Sequence, residues 1–173
     1  LRVTRIDADG CPIPLASDIT APFAYPRRDE GQGALDYFLR PGVTGSRDGL
    51  FMIEPYQPGK VPLIFVHGLL SEPRTWADVA NQLRAWPGFT DHYQIWAFRY
   101  ATGEPFLGSA AILRRQLHEL RVRYDPERRD PALSRIVLIG HSMGGLVAKL
   151  QATYSGEHLW SAAARVPLQS IRA

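Results

Sequence analysis

Four short apolar runs set the rhythm of the chain. They are Gly49-Leu50-Phe51-Met52-Ile53-Glu54, Val61-Pro62-Leu63-Ile64-Phe65-Val66, Tyr93-Gln94-Ile95-Trp96-Ala97-Phe98 and Ile136-Val137-Leu138-Ile139. Each is too short for a globular helix and rich in aliphatic or aromatic residues, so each predicts a strand. Between them the apolar spacing turns helical. Trp76, Val79, Ala80 and Leu83 fall on one stripe of a helix opened by Glu72-Pro73, with Ser71 as N-cap and Pro87-Gly88 as its stop. Ala110, Leu113, Leu117, Leu120 and Tyr124 do the same over residues 108–124. Both stripes read as core faces. Leu146-Val147-Ala148-Lys149-Leu150 predicts a further helix. Strands alternating with helices predict an α/β fold: a mostly parallel sheet with flanking helices and right-handed crossovers.

Residues 1–48 lack this rhythm. Leu1-Arg2-Val3-Thr4-Arg5-Ile6 alternates weakly and predicts a strand. Residues 10–28 are rich in proline and turn formers and predict an irregular arm. Residues 34–40 predict a short helix stopped by Pro41-Gly42. The expected division is therefore an N-terminal arm, or the end of a preceding module, over 1–48, and an α/β domain over 49–173. There is no internal repeat or low-complexity segment.

The chemistry concentrates where the last strand meets the last helix. Gly140-His141-Ser142-Met143-Gly144, followed by Gly145, places a serine at the apex of a strand–turn–helix. Side chains at 140 and 144 would crowd such a turn, and the serine at its apex takes a strained backbone. The turn lifts the hydroxyl above a helix N-terminus, whose free N–H groups favour a developing oxyanion. The Met143 N–H is one such donor. A plain strand-to-helix loop with packing glycines is the alternative, and the strand before and helix after the serine weigh against it. The second signal is His67-Gly68-Leu69-Leu70, directly after Val61-Pro62-Leu63-Ile64-Phe65-Val66. A His-Gly loop in this place supplies the other oxyanion donor, here the Leu69 N–H. The His67 imidazole is read as a structural group bonding loop backbone, not as the catalytic base.

Phe65-Val66-His67-Gly68-Leu69-Leu70-Ser71 together with Gly140-His141-Ser142-Met143-Gly144-Gly145 resembles the bacterial esterase/lipase branch of the α/β-hydrolases. Tyr100-Ala101-Thr102-Gly103-Glu104-Pro105-Phe106 is similar to a group of large bacterial proteins of that type, and the resemblance covers residues 49–156. It implies an acyl-enzyme mechanism through Ser142, a Ser–acid–His triad, a small-molecule or lipid ester as substrate, no cofactor, and an extracytoplasmic location. Leu69, Leu70, Trp76, Phe106, Leu107 and Met143 are candidates for an apolar acyl pocket.

One departure is plain. The triad order in that fold is serine, acid, histidine. The 31 residues after Ser142 hold no aspartate, one glutamate (Glu157) and one histidine (His158). Adjacent side chains do not readily form a relay in which the acid grips the imidazole from the side opposite serine. They read as a solvated helix end. The expectation is an α/β-hydrolase fold incomplete at its C-terminus, with acid and base beyond residue 173. Two other readings stay open: an acyltransferase on the same elbow, and a non-catalytic hydrolase-like module.

Composition adds little. The 173 residues are 45% hydrophobic and 21% charged, enough for one domain with a real core. The net charge of +3 comes largely from arginines over 114–129, interspersed with acids, which reads as a solvated face. It leaves membrane-surface contact open, and no nucleic-acid-binding motif is present. Cys11 is the single cysteine, so the chain forms no internal disulfide. No cysteine–histidine or paired-histidine spacing suggests a metal. No apolar run approaches a membrane span.

Overall fold

The structure, a computed structural model, describes residues 5–8, 10–14, 48–154, 156–167 and 170. Strands β1 (Arg5–Ala8) and β2 (Cys11–Pro14) form an antiparallel hairpin pairing Ala8 with Cys11 across a two-residue loop. The main sheet has four strands: β3 (Gly49–Met52), β4 (Val61–Val66), β5 (Tyr93–Arg99) and β6 (Val137–Gly140). Their order is β3-β5-β4-β6. β4 runs parallel to β5, from Val61 opposite Tyr93 to Val66 opposite Phe98, and parallel to β6, from Leu63 opposite Val137 to Val66 opposite Gly140. β3 is the antiparallel edge, with Gly49 opposite Arg99. Among the described residues β6 pairs with β4 alone.

The helices are α1 (Ala77–Ala85), α2 (Phe89–His92), α3 (Phe106–Tyr124), α4 (Met143–Ala152) and α5 (His158–Ala163), with 3₁₀ turns at Pro73–Trp76 and Pro131–Ser134. Alternation along the strands splits the core into two layers. Ile64, Val66, Trp96, Phe98 and Tyr100 meet Ala110, Leu113 and Leu120 of α3 and Val147 of α4. Leu63, Phe65 and Ile95 point the other way, onto Trp76, Ala80 and Leu83. Burial of both faces explains why β4 reads as one continuous apolar run.

Several expectations shift. The arm predicted over 10–28 contains a strand at its start, because Asp9-Gly10 is a hairpin signal; Gly10 takes φ 81° and its N–H donates to Asp7 Oδ1 at 2.8 Å. Pro12 and Pro14 are tolerated because a two-stranded ribbon leaves outward positions without ladder partners. The helix expected over residues 34–40 lies outside the described residues. Ser71 is not a cap: the turn at Pro73–Trp76 starts after Glu72, without a side-chain cap. Val79 is 40% exposed while Ala80 is fully buried. α2 was not foreseen. The linker at Asp130-Pro131 is a capped turn: Asp130 Oδ1 accepts from the Ala132 N–H at 2.9 Å, and its other oxygen accepts from the Tyr56 hydroxyl and the Gly59 N–H.

Candidate active site

The parallel strands β4, β5 and β6 end together at Val66, Arg99 and Gly140, so the loops after β4 and β6 meet at one edge of the sheet. Ser142 stands there, exposed, between β6 and α4, with φ 54° and ψ −125°. Few residues other than glycine adopt this backbone, and the structure holds it by close packing on both sides. A Cβ on Gly140 would lie 2.4 Å from the Gly144 carbonyl oxygen. A Cβ on Gly144 would lie 2.3 Å from the carbonyl oxygens of both Val66 and His67. The two outer glycines of the motif are therefore demanded by backbone approach. Gly145 is different: a Cβ there would stand 3.6 Å from the Gly140 oxygen, an ordinary contact, so its support of the elbow is not steric.

Met143 is the first residue of α4, and Ser142 occupies the cap position. The Gly144 and Gly145 N–H groups bond to the His141 and Ser142 carbonyls, both at 2.9 Å. The Met143 N–H lies in the first turn, where helix geometry supplies no acceptor.

The β4 loop lies against this elbow. The His141 N–H donates to the Val66 carbonyl at 3.1 Å. A Cβ on Gly68 would stand 3.2 Å from the Ser142 Cβ and 3.0 Å from His141 Nδ1, so only glycine brings this loop so near the serine without displacing either side chain. Leu69 and Leu70 follow, both about half exposed, and Leu70 has φ 53°.

His67 is buried and stacked on Tyr100, with ring centroids 4.5 Å apart. Its Nδ1 meets the Gly68 carbonyl at 3.1 Å, and its Nε2 meets the Tyr100 N–H at 3.4 Å. A carbonyl only accepts and a backbone N–H only donates, so Nδ1 carries the proton and Nε2 is bare. Burial is the main reason its pKa falls to about 4, so the ring is neutral near pH 7. Both nitrogens serve backbone, in keeping with the structural reading of this side chain.

Tyr100 also donates its hydroxyl to the His67 carbonyl at 2.7 Å, and burial raises its pKa to about 12. Thr102, almost wholly buried, accepts from the Leu70 N–H at 3.3 Å. The segment after β5 thus holds the loop after β4. No periodicity or spacing marks these two residues, which the sequence distinguishes only as part of the family-like stretch Tyr100-Ala101-Thr102-Gly103-Glu104-Pro105-Phe106.

The other candidates fall in four places. Phe106 opens α3 and is 37% exposed, beside the more exposed Leu107. Trp76, read as a pocket candidate, instead packs in the core: its ring stacks on Phe65 with centroids 4.7 Å apart. His141 is exposed beside Gly68. Glu157 and His158 are exposed as expected of a helix end, but the end is the start of α5, not a C-terminus. Among the described residues, no histidine or carboxylate hydrogen-bonds the Ser142 hydroxyl, and no group of three or more potential ligands is placed to hold a metal ion. No described helix is long and apolar enough to cross a membrane.

The model of the alpha/beta hydrolase family matches residues 63–171, well over half of the chain. The chain belongs to the alpha/beta hydrolase family. The match includes β4 from Leu63 onward, the β4 loop, β6, the elbow and α4, which are the elements that frame Ser142. No curated protein and no solved structure matches the sequence significantly. The observed sheet, mostly parallel and flanked by helices on both faces, is consistent with an alpha/beta hydrolase fold.

Proposed function

We propose that this alpha/beta hydrolase is a serine esterase acting on carboxylic esters through Ser142. The observation that carries the reading is the backbone of Ser142 itself. An exposed serine is held at φ 54° and ψ −125° above the first turn of α4, with the β4 loop packed against it. Strain of this kind persists where surrounding structure over-determines it, and it aims the hydroxyl away from the sheet.

The steps follow from the parts. A histidine base, held by an acid as the family resemblance implies, takes the Ser142 proton. The Ser142 oxygen attacks the ester carbonyl, and the Leu69 and Met143 N–H groups donate to the oxyanion. Collapse expels the alcohol with the proton from the base and leaves an acyl-serine. Water, deprotonated by the same base, then releases the acid and restores Ser142. Leu70 and Phe106, 48% and 37% exposed on the segments that follow β4 and β5, suit an apolar acyl group.

Ester turnover by the full-length protein, with and without Ser142→Ala, tests the reading. The variant is expected to lose several orders of magnitude in kcat/KM, and a fluorophosphonate is expected to label Ser142 in the parent only. Undiminished turnover in the variant overturns the assignment. The alternative, a non-catalytic module, predicts no labelling and no turnover in either protein.

A further inference from the structure

Leu69 sits between two pinned peptide planes. The plane before it carries the Gly68 carbonyl, which accepts from His67 Nδ1 at 3.1 Å. In a trans peptide the C=O and N–H point in opposite directions, so fixing the Gly68 oxygen sets where the Leu69 N–H points. The plane after it carries the Leu70 N–H, which donates to Thr102 Oγ1 at 3.3 Å. Two pinned planes fix both soft dihedrals of the residue between them.

The second pin works against resistance. Leu70 has φ 53°, a conformation in which a leucine side chain crowds its own backbone. Left alone, the Leu69–Leu70 peptide would turn to relieve it, and Leu69 would turn with it. Leu70 itself gives little purchase, being 48% exposed. Thr102 does: it is only 4% exposed, on the buried segment Tyr100-Ala101-Thr102 that follows β5.

We infer that the Thr102 hydroxyl is a positioning residue for the oxyanion hole: it holds Leu70 left-handed so that the Leu69 N–H faces the oxyanion formed at Ser142. Thr102 touches no reacting atom. The inference rests on the esterase reading of Ser142, and its action is confined to the transition state. Ground-state ester binding does not depend on a well-aimed oxyanion donor, whereas the tetrahedral intermediate does.

The test uses Thr102→Val, which removes the hydroxyl at nearly constant volume, and Thr102→Ser, which keeps it. The Val variant is expected to lose about tenfold to a hundredfold in kcat with KM within about twofold, and to bind a boronic acid mimic of the tetrahedral intermediate more weakly by a similar factor. The Ser variant is expected to restore both. Exchange of the Leu70 amide should quicken in Val and not in Ser. Should Thr102→Val fail to fold, Thr102→Ala against Thr102→Ser makes the same comparison. A Val or Ala variant with parental kcat and boronate affinity, in a protein whose turnover requires Ser142, overturns the positioning role alone. A protein with no Ser142-dependent turnover overturns the esterase reading first, and unchanged Leu70 exchange then removes the structural basis of the positioning role as well.

Discussion

Gly144 lies so close beneath β4 that a Cβ on it would stand 2.3 Å from the Val66 carbonyl oxygen. The obstacle is central-strand backbone, which cannot swing aside as a side-chain end can. Gly144→Ala is therefore expected to lose about 3 kcal/mol or more of folding stability, at the upper end of overpacking effects. Gly145→Ala, one residue on, meets only ordinary contact and replaces a helical glycine. It should leave stability unchanged or raise it by up to about 1 kcal/mol. Urea unfolding of the two variants reads the contrast, and equal losses would contradict the packing described for the elbow.

Ser142 predicts the reverse relation between stability and chemistry. Its φ of 54° with ψ of −125° costs a non-glycine residue on the order of 1–3 kcal/mol, while glycine takes it freely. Ser142→Gly and Ser142→Ala both remove the hydroxyl, but only the first releases the backbone. Glycine also gains entropy in the unfolded chain, so the net advantage of Gly over Ala should be about 1 kcal/mol. Both variants should be inactive on esters. An alanine variant as stable as the glycine variant would mean that the elbow is not strained.

What the sequence made legible follows from how local each cause is. Val61–Val66 announces a doubly buried strand because each residue meets apolar core on one face or the other. Gly140 and Gly144 are legible because their constraint arises within one turn. Val79 was misplaced for a geometric reason. Trp76 closes a 3₁₀ turn, and the α-helix begins only at Ala77, so a stripe counted from Trp76 at α-helical spacing runs out of phase. The Cys11–Pro14 strand was hidden by its prolines, which read as breakers where no second partner strand is needed. Tyr100 and Thr102 were illegible because their bonds to His67 and Leu70 span two loops that only the β4–β5 register brings together.

The two exposed candidates for the acyl site carry their own expectation. Phe106 and Leu70 are 37% and 48% exposed, so truncating either uncovers little core. Phe106→Ala and Leu70→Ala are expected to change stability by less than about 1 kcal/mol, because half-exposed side chains keep much of their contact with water in the native state. If they receive the acyl group, kcat/KM for a long-chain ester should fall more than for an acetate ester, each lost methylene contact being worth about 0.8 kcal/mol. Equal losses on both substrates would remove these residues from the acyl site.

His67 gives a prediction in pH. Its ring is neutral in the native state, with Nε2 accepting from the Tyr100 N–H, and burial lowers its pKa from 6.5 to about 4. Between these values the unfolded chain binds a proton that the folded chain refuses. Stability therefore rises with pH across the window. The contribution is fully present above about pH 6.5, is lost as pH falls toward 4, and changes no further once both states are protonated. At about 1.4 kcal/mol per pH unit it amounts to about 3 kcal/mol. His67→Gln removes the titrating ring. Denaturant unfolding at several pH values from 7 down to 3.5 should show the parent losing about 3 kcal/mol more than the variant, with the curves running parallel at the acid end. Parallel curves across the whole range would mean that His67 titrates alike in both states, and the neutral, doubly bonded imidazole would have to be abandoned.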